Sequence, residues 1–161
     1  MKKLFGVFVA ALLLVGLLAI PASAAGSCDW AGSAPATYNN RTKIGSIEVK
    51  ASITCSGTPV MQSLTISTVL YRDGSEWLGY QLVHNTNQNV LLQDRVSSCQ
   101  DPTVLKFNCT GHWEADFTWE MVLKSGETWD PSPPAGCQVS GDRRTLDCAA
   151  VIVYDIAGPL P

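Results

Sequence analysis

The chain has 161 residues, 46% of them hydrophobic and 16% charged, with a formal net charge of −3. Charge is well below the roughly 25% of an average globular chain. The cations are scattered, so the clustered Lys and Arg that grip a phosphate backbone are missing and a nucleic-acid partner is excluded. The length suits one domain.

The first element in chain order reads as a targeting segment. Lys2 and Lys3 precede an apolar run from Leu4 to Ile20, and Pro21 breaks it ahead of Ala22-Ser23-Ala24, the small-x-small pattern of a signal peptidase site. The run falls short of the about 20 residues of a membrane span, and no basic cluster follows it. We expect a signal peptide over 1–24, removed on export, and no membrane association afterwards. Lipidation at Cys28 would want a Leu three places upstream and would leave an odd number of cysteines to pair. Removing 24 of 161 residues leaves 137, with nine Lys and Arg against 14 Asp and Glu, a net −5.

Residues 25–43 are small, polar and without evident period, which reads as an N-terminal arm that needs tying down. The sandwich domain is expected over 44–161. From Ile47 the pattern alternates: Ile47, Val49, Ala51, Ile53 and Cys55 interleave with Glu48, Lys50, Ser52 and Thr54, as in an antiparallel strand with one wet face. Strands follow over Leu64 to Tyr71 and Ser75 to Val83, joined through Arg72-Asp73-Gly74. A two-residue Asp-Gly loop would put Leu70 opposite Trp77 and Ile66 opposite Gln81, mixing the two faces. A three-residue loop with Gly74 in the left-handed region places Leu64, Ile66, Thr68 and Leu70 beside Leu78, Tyr80 and Leu82, and is the expected turn.

Val90 to Val96 reads as a weaker strand and Thr103 to Phe107 as a short one. In the strongest segment, Trp113, Ala115, Phe117, Trp119, Met121 and Leu123 alternate with His112, Glu114, Asp116, Thr118, Glu120 and Lys124; helical spacing would scatter those apolar residues. Ser125 to Gly136 holds three prolines and is a loop, and Cys137 to Asp155 a final hairpin. The fold expected is all-β: an antiparallel, immunoglobulin-like sandwich of about seven strands with three disulfides.

All six cysteines, at 28, 55, 99, 109, 137 and 148, follow the targeting segment. An even count in that setting reads as disulfides formed outside the cytoplasm, and the absence of close Cys pairs argues against zinc; no metal or cofactor is expected. Cys137 and Cys148 flank Ser140-Gly141-Asp142-Arg143, a turn signal, and are the first pair expected. Cys55 with Cys109 between sheets and Cys28 with Cys99 would complete the set, or the partners exchange, with Cys55 joining Cys99.

Ile53-Thr54-Cys55, Leu70-Tyr71-Arg72-Asp73-Gly74, Cys109-Thr110-Gly111-His112-Trp113 and the Pro-rich Trp129 to Pro134 occur in that order. The order resembles a group of small secreted β-sandwich proteins from high-GC Gram-positive (actinobacterial) organisms, which has no established activity. Cys55 and Cys109 match the group's two cysteines, so the resemblance implies the Cys55–Cys109 pairing. The cysteines at 28, 99, 137 and 148 are additional to its pattern, and it carries over no functional residue.

The chemistry-bearing residues are few. The two histidines, His84 and His112, lie far apart in sequence, and no Gly-x-Ser-x-Gly elbow is present. Glu114, Asp116 and Glu120 share one strand face, with the spacing of a solvated outer face. No catalytic residue, and so no enzyme, is expected. Among five tryptophans, Trp113 and Trp119 alternate with charges and read as core, and Trp30 as packing over a sheet edge. Tyr71, Trp77 and Trp129 remain as a candidate surface patch for an unknown protein or glycan. The expected function is a secreted, non-catalytic binding or structural module. The alternative is a protease or glycosidase inhibitor presenting the 125–136 loop.

Overall fold

The computed structural model describes residues 27–39, 41, 44–56, 61–86, 89–99 and 109–157. The expected signal peptide over 1–24 and the short strand over 103–107 lie outside them. The described residues form nine strands: β1 (Ser27–Ser33), β2 (Ala36–Asn39), β3 (Ile44–Ser56), β4 (Met61–Arg72), β5 (Ser75–Asn85), β6 (Val90–Ser98), β7 (Gly111–Leu123), β8 (Cys137–Val139) and β9 (Thr145–Ile156). All pairings are antiparallel. In the smaller sheet β3 is flanked by β1 and β2 on one side and β6 on the other; the larger runs β5-β4-β7-β9-β8.

Period-two sequences make these sheets two-faced. The inward side chains of β3 (Ile47, Val49, Ile53), β4 (Leu64, Ile66, Leu70) and β7 (Trp113, Phe117, Trp119, Met121, Leu123) are all buried and form one core. Each large side chain contributes about 1.5–3 kcal/mol on leaving water. Trp119 anchors the middle: Phe117 stacks on it at 5.8 Å and Trp30 meets it at 4.9 Å. At the other end of β7, Trp113 packs against the edge of Trp77 at 5.6 Å, with the Arg72 guanidinium over both rings.

Three expectations are corrected here. The segment read as an arm without period is a full edge strand. Ser27–Ser33 and Ala36–Asn39 pair with β3 in one unbroken register, interrupted only at Ala34-Pro35, where the Pro35 carbonyl still accepts from Glu48 N–H at 3.0 Å. Its side chains alternate between half-buried or buried and exposed. The alternation is invisible as hydrophobicity because the inward positions include Gly32, Ala34 and Ala36. Gly32 sits on the Phe117 ring, where a Cβ would lie 3.0 Å from Cγ, so the close approach of this strand requires glycine.

The hairpin between β4 and β5 uses the two-residue loop. Arg72 pairs with Ser75, and Asp73 and Gly74 both have positive φ (50° and 78°), as a type I′ turn requires. The register slips twice farther on, between Thr68 and Leu70 and between Leu70 and Tyr71, which moves the ladder by two residues and leaves its parity unchanged. The expected three-residue loop pairs even with even, whereas this hairpin, apart from Leu70 opposite Leu78, pairs even with odd, so β5 faces the opposite way to the expectation. Val83 and Gln81 therefore oppose Ile66 and Thr68, Trp77 packs inward, and Tyr80 and Leu82 face solvent.

The disulfides are Cys28–Cys55, Cys99–Cys109 and Cys137–Cys148. The last was expected. The pairing Cys55–Cys109 implied by the resemblance, the pairing Cys28–Cys99, and the exchange that would join Cys55 to Cys99 are all replaced. The physical reason is the arm: once it is a strand, Cys28 lies directly opposite Cys55. Cys99 and Cys109 then bridge the end of β6 to the approach to β7. By loop closure each bridge adds about 3 kcal/mol.

Candidate functional site

The outer face of the larger sheet is built by strand parity. Even positions of β7 and odd positions of β4 and β9 point outward, so cross-strand rows can be read from the register: Tyr71–Glu114–Val153, Val69–Asp116–Val151, Ser67–Thr118–Ala149 and Thr65–Glu120–Asp147. The row Ser67–Thr118–Ala149 holds only small side chains, and the larger Tyr80 and Leu82 of β5 stand beside it. The result is a groove of about 540 Å³, running from Tyr80 and Leu82 on β5 to Gly136 and Gln138 at β8.

Tyr80 is 61% exposed, and its hydroxyl is held 2.6 Å from Ser67 Oγ, which fixes a phenol ring along one side of the groove. His84 Nδ1 lies 2.9 Å from Thr65 Oγ1 at the groove's end. Glu120 and Asp147 are directly opposed in the β7–β9 register, and among the described residues no Lys or Arg lines the groove. Its polar groups are thus hydroxyls, an amide and two carboxylates beside one exposed ring, a set suited to a polyhydroxylated ligand and unfavourable to an anion.

Higher on the same face, Asp116 is pushed above the ordinary carboxylate range, first by partial burial and then by the charge and hydrogen bond of Glu114. One Asp116 oxygen is shielded and has no partner. His112 Nδ1 lies 2.8 Å from Asp155 Oδ1, both exposed. That juxtaposition was not legible in the sequence, where 43 residues separate the two; the β7–β9 register makes it. No cysteine is free. Among the described residues no group of three His, Cys, Asp or Glu is placed to hold a metal ion, and no helix is long and apolar enough to cross a membrane.

The candidate patch of Tyr71, Trp77 and Trp129 does not assemble. Tyr71 is half-buried on the outer face beside Glu114. Trp77 turns inward, and its indole N–H donates to Ser97 Oγ at 3.1 Å across to the smaller sheet. Trp129 is 6% exposed and belongs to the core, where its indole N–H donates to the carbonyls of Arg144 (3.1 Å) and Met121 (3.3 Å). The two tryptophans sit near opposite ends of β7. Trp129 also pins the 125–136 loop: its N–H donates to the Arg143 carbonyl at 2.7 Å, and its own carbonyl accepts from the Arg143 guanidinium.

No family model, no curated protein and no solved structure matches this chain. Its function therefore rests on its own surface. The exposed aromatic on that surface is Tyr80, assigned to the core by the three-residue-loop reading. The missed signal was Asp73-Gly74 itself: its two-residue turn sets the odd-numbered residues of β5 inward and Tyr80 outward.

Proposed function

We propose that this protein is a secreted, non-catalytic binding module, an immunoglobulin-like sandwich that takes a carbohydrate segment in the groove on its larger sheet. The targeting pattern and the three disulfides support an extracellular setting. Three crossings of the chain between sheets, β3 to β4, β5 to β6 and β6 to β7, support the immunoglobulin-like reading.

The groove itself carries the reading. It offers one fixed, exposed aromatic ring for the C–H face of a sugar, and rows of Thr, Ser, Gln and acidic groups for its hydroxyls. The absence of cations there favours neutral or amine-bearing sugars over sulfated or carboxylated ones.

Affinity electrophoresis against soluble polysaccharides of neutral, amine-bearing and sulfated classes tests it. Retardation by one of the first two classes is expected. Tyr80→Ala should weaken it about tenfold, the worth of one aromatic contact, while Leu92→Ala on the opposite sheet leaves it unchanged. No retardation by any class, or native binding by Tyr80→Ala, would refute the proposal.

A further inference from the structure

Edge strands that avoid pairing with other chains carry Pro, charge or bulges, or are short. Most edges of this sandwich do. The β1–β2 edge is broken at Pro35, β5 slips twice against β4, β6 carries Asp94 and Arg95, and β8 has three residues. Beyond Cys148, β9 differs. From Ala149 to Ile156 it pairs with β7 in a register without a shift, and among the described residues no strand lies on its other side. The run Ala149-Ala150-Val151-Ile152-Val153-Tyr154 contains no Pro, Gly or charge.

The direction of its amides follows from one bond. Ala149 N–H donates away from β7, to the Gly136 carbonyl at 2.9 Å, so the odd-numbered residues of β9 turn their backbone groups outward. Val151, Val153 and Asp155 thereby present an open ladder. Both faces beside it are apolar. Val151 and Val153 are 57% and 52% exposed on the outer face. On the inner side Ile152 and Tyr154 line a cleft of about 420 Å³ shared with Gly32, Ala34 and Ala36 of the smaller sheet's edge.

We propose that this edge pairs with the same edge of a second copy, antiparallel across a two-fold axis at Val153. Val153 then opposes the partner's Val153, and Val151 opposes the partner's Asp155. All three outward residues are satisfied, with two hydrogen bonds per pair. The valines of both copies merge into one apolar strip, and Ile152 and Tyr154 of each copy close the clefts. Charge and shape select this register. Centring on Asp155 would set two carboxylates face to face, and centring on Val151 would drive the partner's strand into β8. At Val153 the two Asp155 side chains stand about 13 Å apart by strand rise, beyond the roughly 8 Å screening length of physiological salt. The axis is perpendicular to the sheet, so both outer faces point the same way.

The test is sedimentation velocity on the full exported chain with its disulfides intact, from about 1 to about 200 μM, where mass action reveals association. The sedimenting mass should double with concentration, and the amides of Val151, Val153 and Asp155 should gain hydrogen-exchange protection in parallel. Val153→Lys, at an exposed position, should weaken association by at least about tenfold, by placing two ammonium groups in contact. Leu92→Lys on the other sheet should leave it unchanged. A monomer at every concentration overturns the proposal, including one whose edge amides become protected only when a foreign strand is added. So does association of Val153→Lys at native strength.

Discussion

Replacing Gln93 by Leu tests how the two sheets are joined along β5 and β6. Gln93, on β6, is 2% exposed; its carbonyl oxygen accepts from Thr68 Oγ1 on β4 at 3.2 Å, and its amide donates to Gln81 Oε1 on β5 at 3.1 Å. Leu fills a similar volume and removes the cost of burying an amide. It also strips the Thr68 hydroxyl, 1% exposed, of its acceptor, a penalty of about 1–3 kcal/mol. Gln81 is only half-buried and can turn to water. The expected net loss is about 1–2 kcal/mol.

Adding Thr68→Val to Gln93→Leu removes the stranded hydroxyl and should recover about half of that loss, whereas Thr68→Val alone leaves a buried carbonyl oxygen unpartnered. The cycle should therefore be non-additive by about 1 kcal/mol or more. Urea unfolding followed by tryptophan fluorescence, with disulfides intact, measures all four corners. Additivity within about 0.3 kcal/mol, or a neutral Gln93→Leu, would show that this network does not join the sheets.

Two further outcomes can be checked in the same way. Gly32→Ala sets a methyl 3.0–3.1 Å from three atoms of the Phe117 ring, which Trp119 backs at 5.8 Å. It should cost about 1–2 kcal/mol despite the smaller chain entropy lost, with Phe117→Leu relieving it; an unchanged melting temperature would refute the contact. Because burial and Glu114 raise the Asp116 pKa, its native state holds the proton longer than the unfolded chain. Stability therefore falls as pH rises from the ordinary value of 3.8 through the raised one, and the cost persists above it. Asp116→Asn should stabilise by less than about 1 kcal/mol at neutral pH, and the gain should vanish below the ordinary value; a gain independent of pH would contradict the assignment.

Where the outer face was wet and the inner face large and apolar, strand and facing could be read directly, as in β3 and β7. The Cys137–Cys148 bridge was equally legible, because its turn lies between the two cysteines: Ser140 Oγ bonds Asp142 Oδ1 at 2.6 Å and accepts Thr145 N–H at 2.9 Å. The first strand escaped because closeness to Phe117 demands small inward residues, and small residues carry no hydrophobic signal. Tyr80 escaped because the three-residue turn expected between β4 and β5 has the opposite parity to the two-residue turn the chain uses. The groove depended on that parity, so of the candidate site only the acidic row of β7 could be placed beforehand.

The order of the bridges along the chain has a consequence for how the protein is made. Cys28–Cys55, Cys99–Cys109 and Cys137–Cys148 join the cysteines consecutively, without nesting or crossing. When such a chain emerges N-terminus first into an oxidising space, each cysteine that completes a pair appears before the next pair begins. Simple oxidation of nearest neighbours yields the native set, and no isomerase is required to undo an error. Fully oxidised and unfolded, the molecule is a string of three separate rings that carries its correct pairing into every round of refolding.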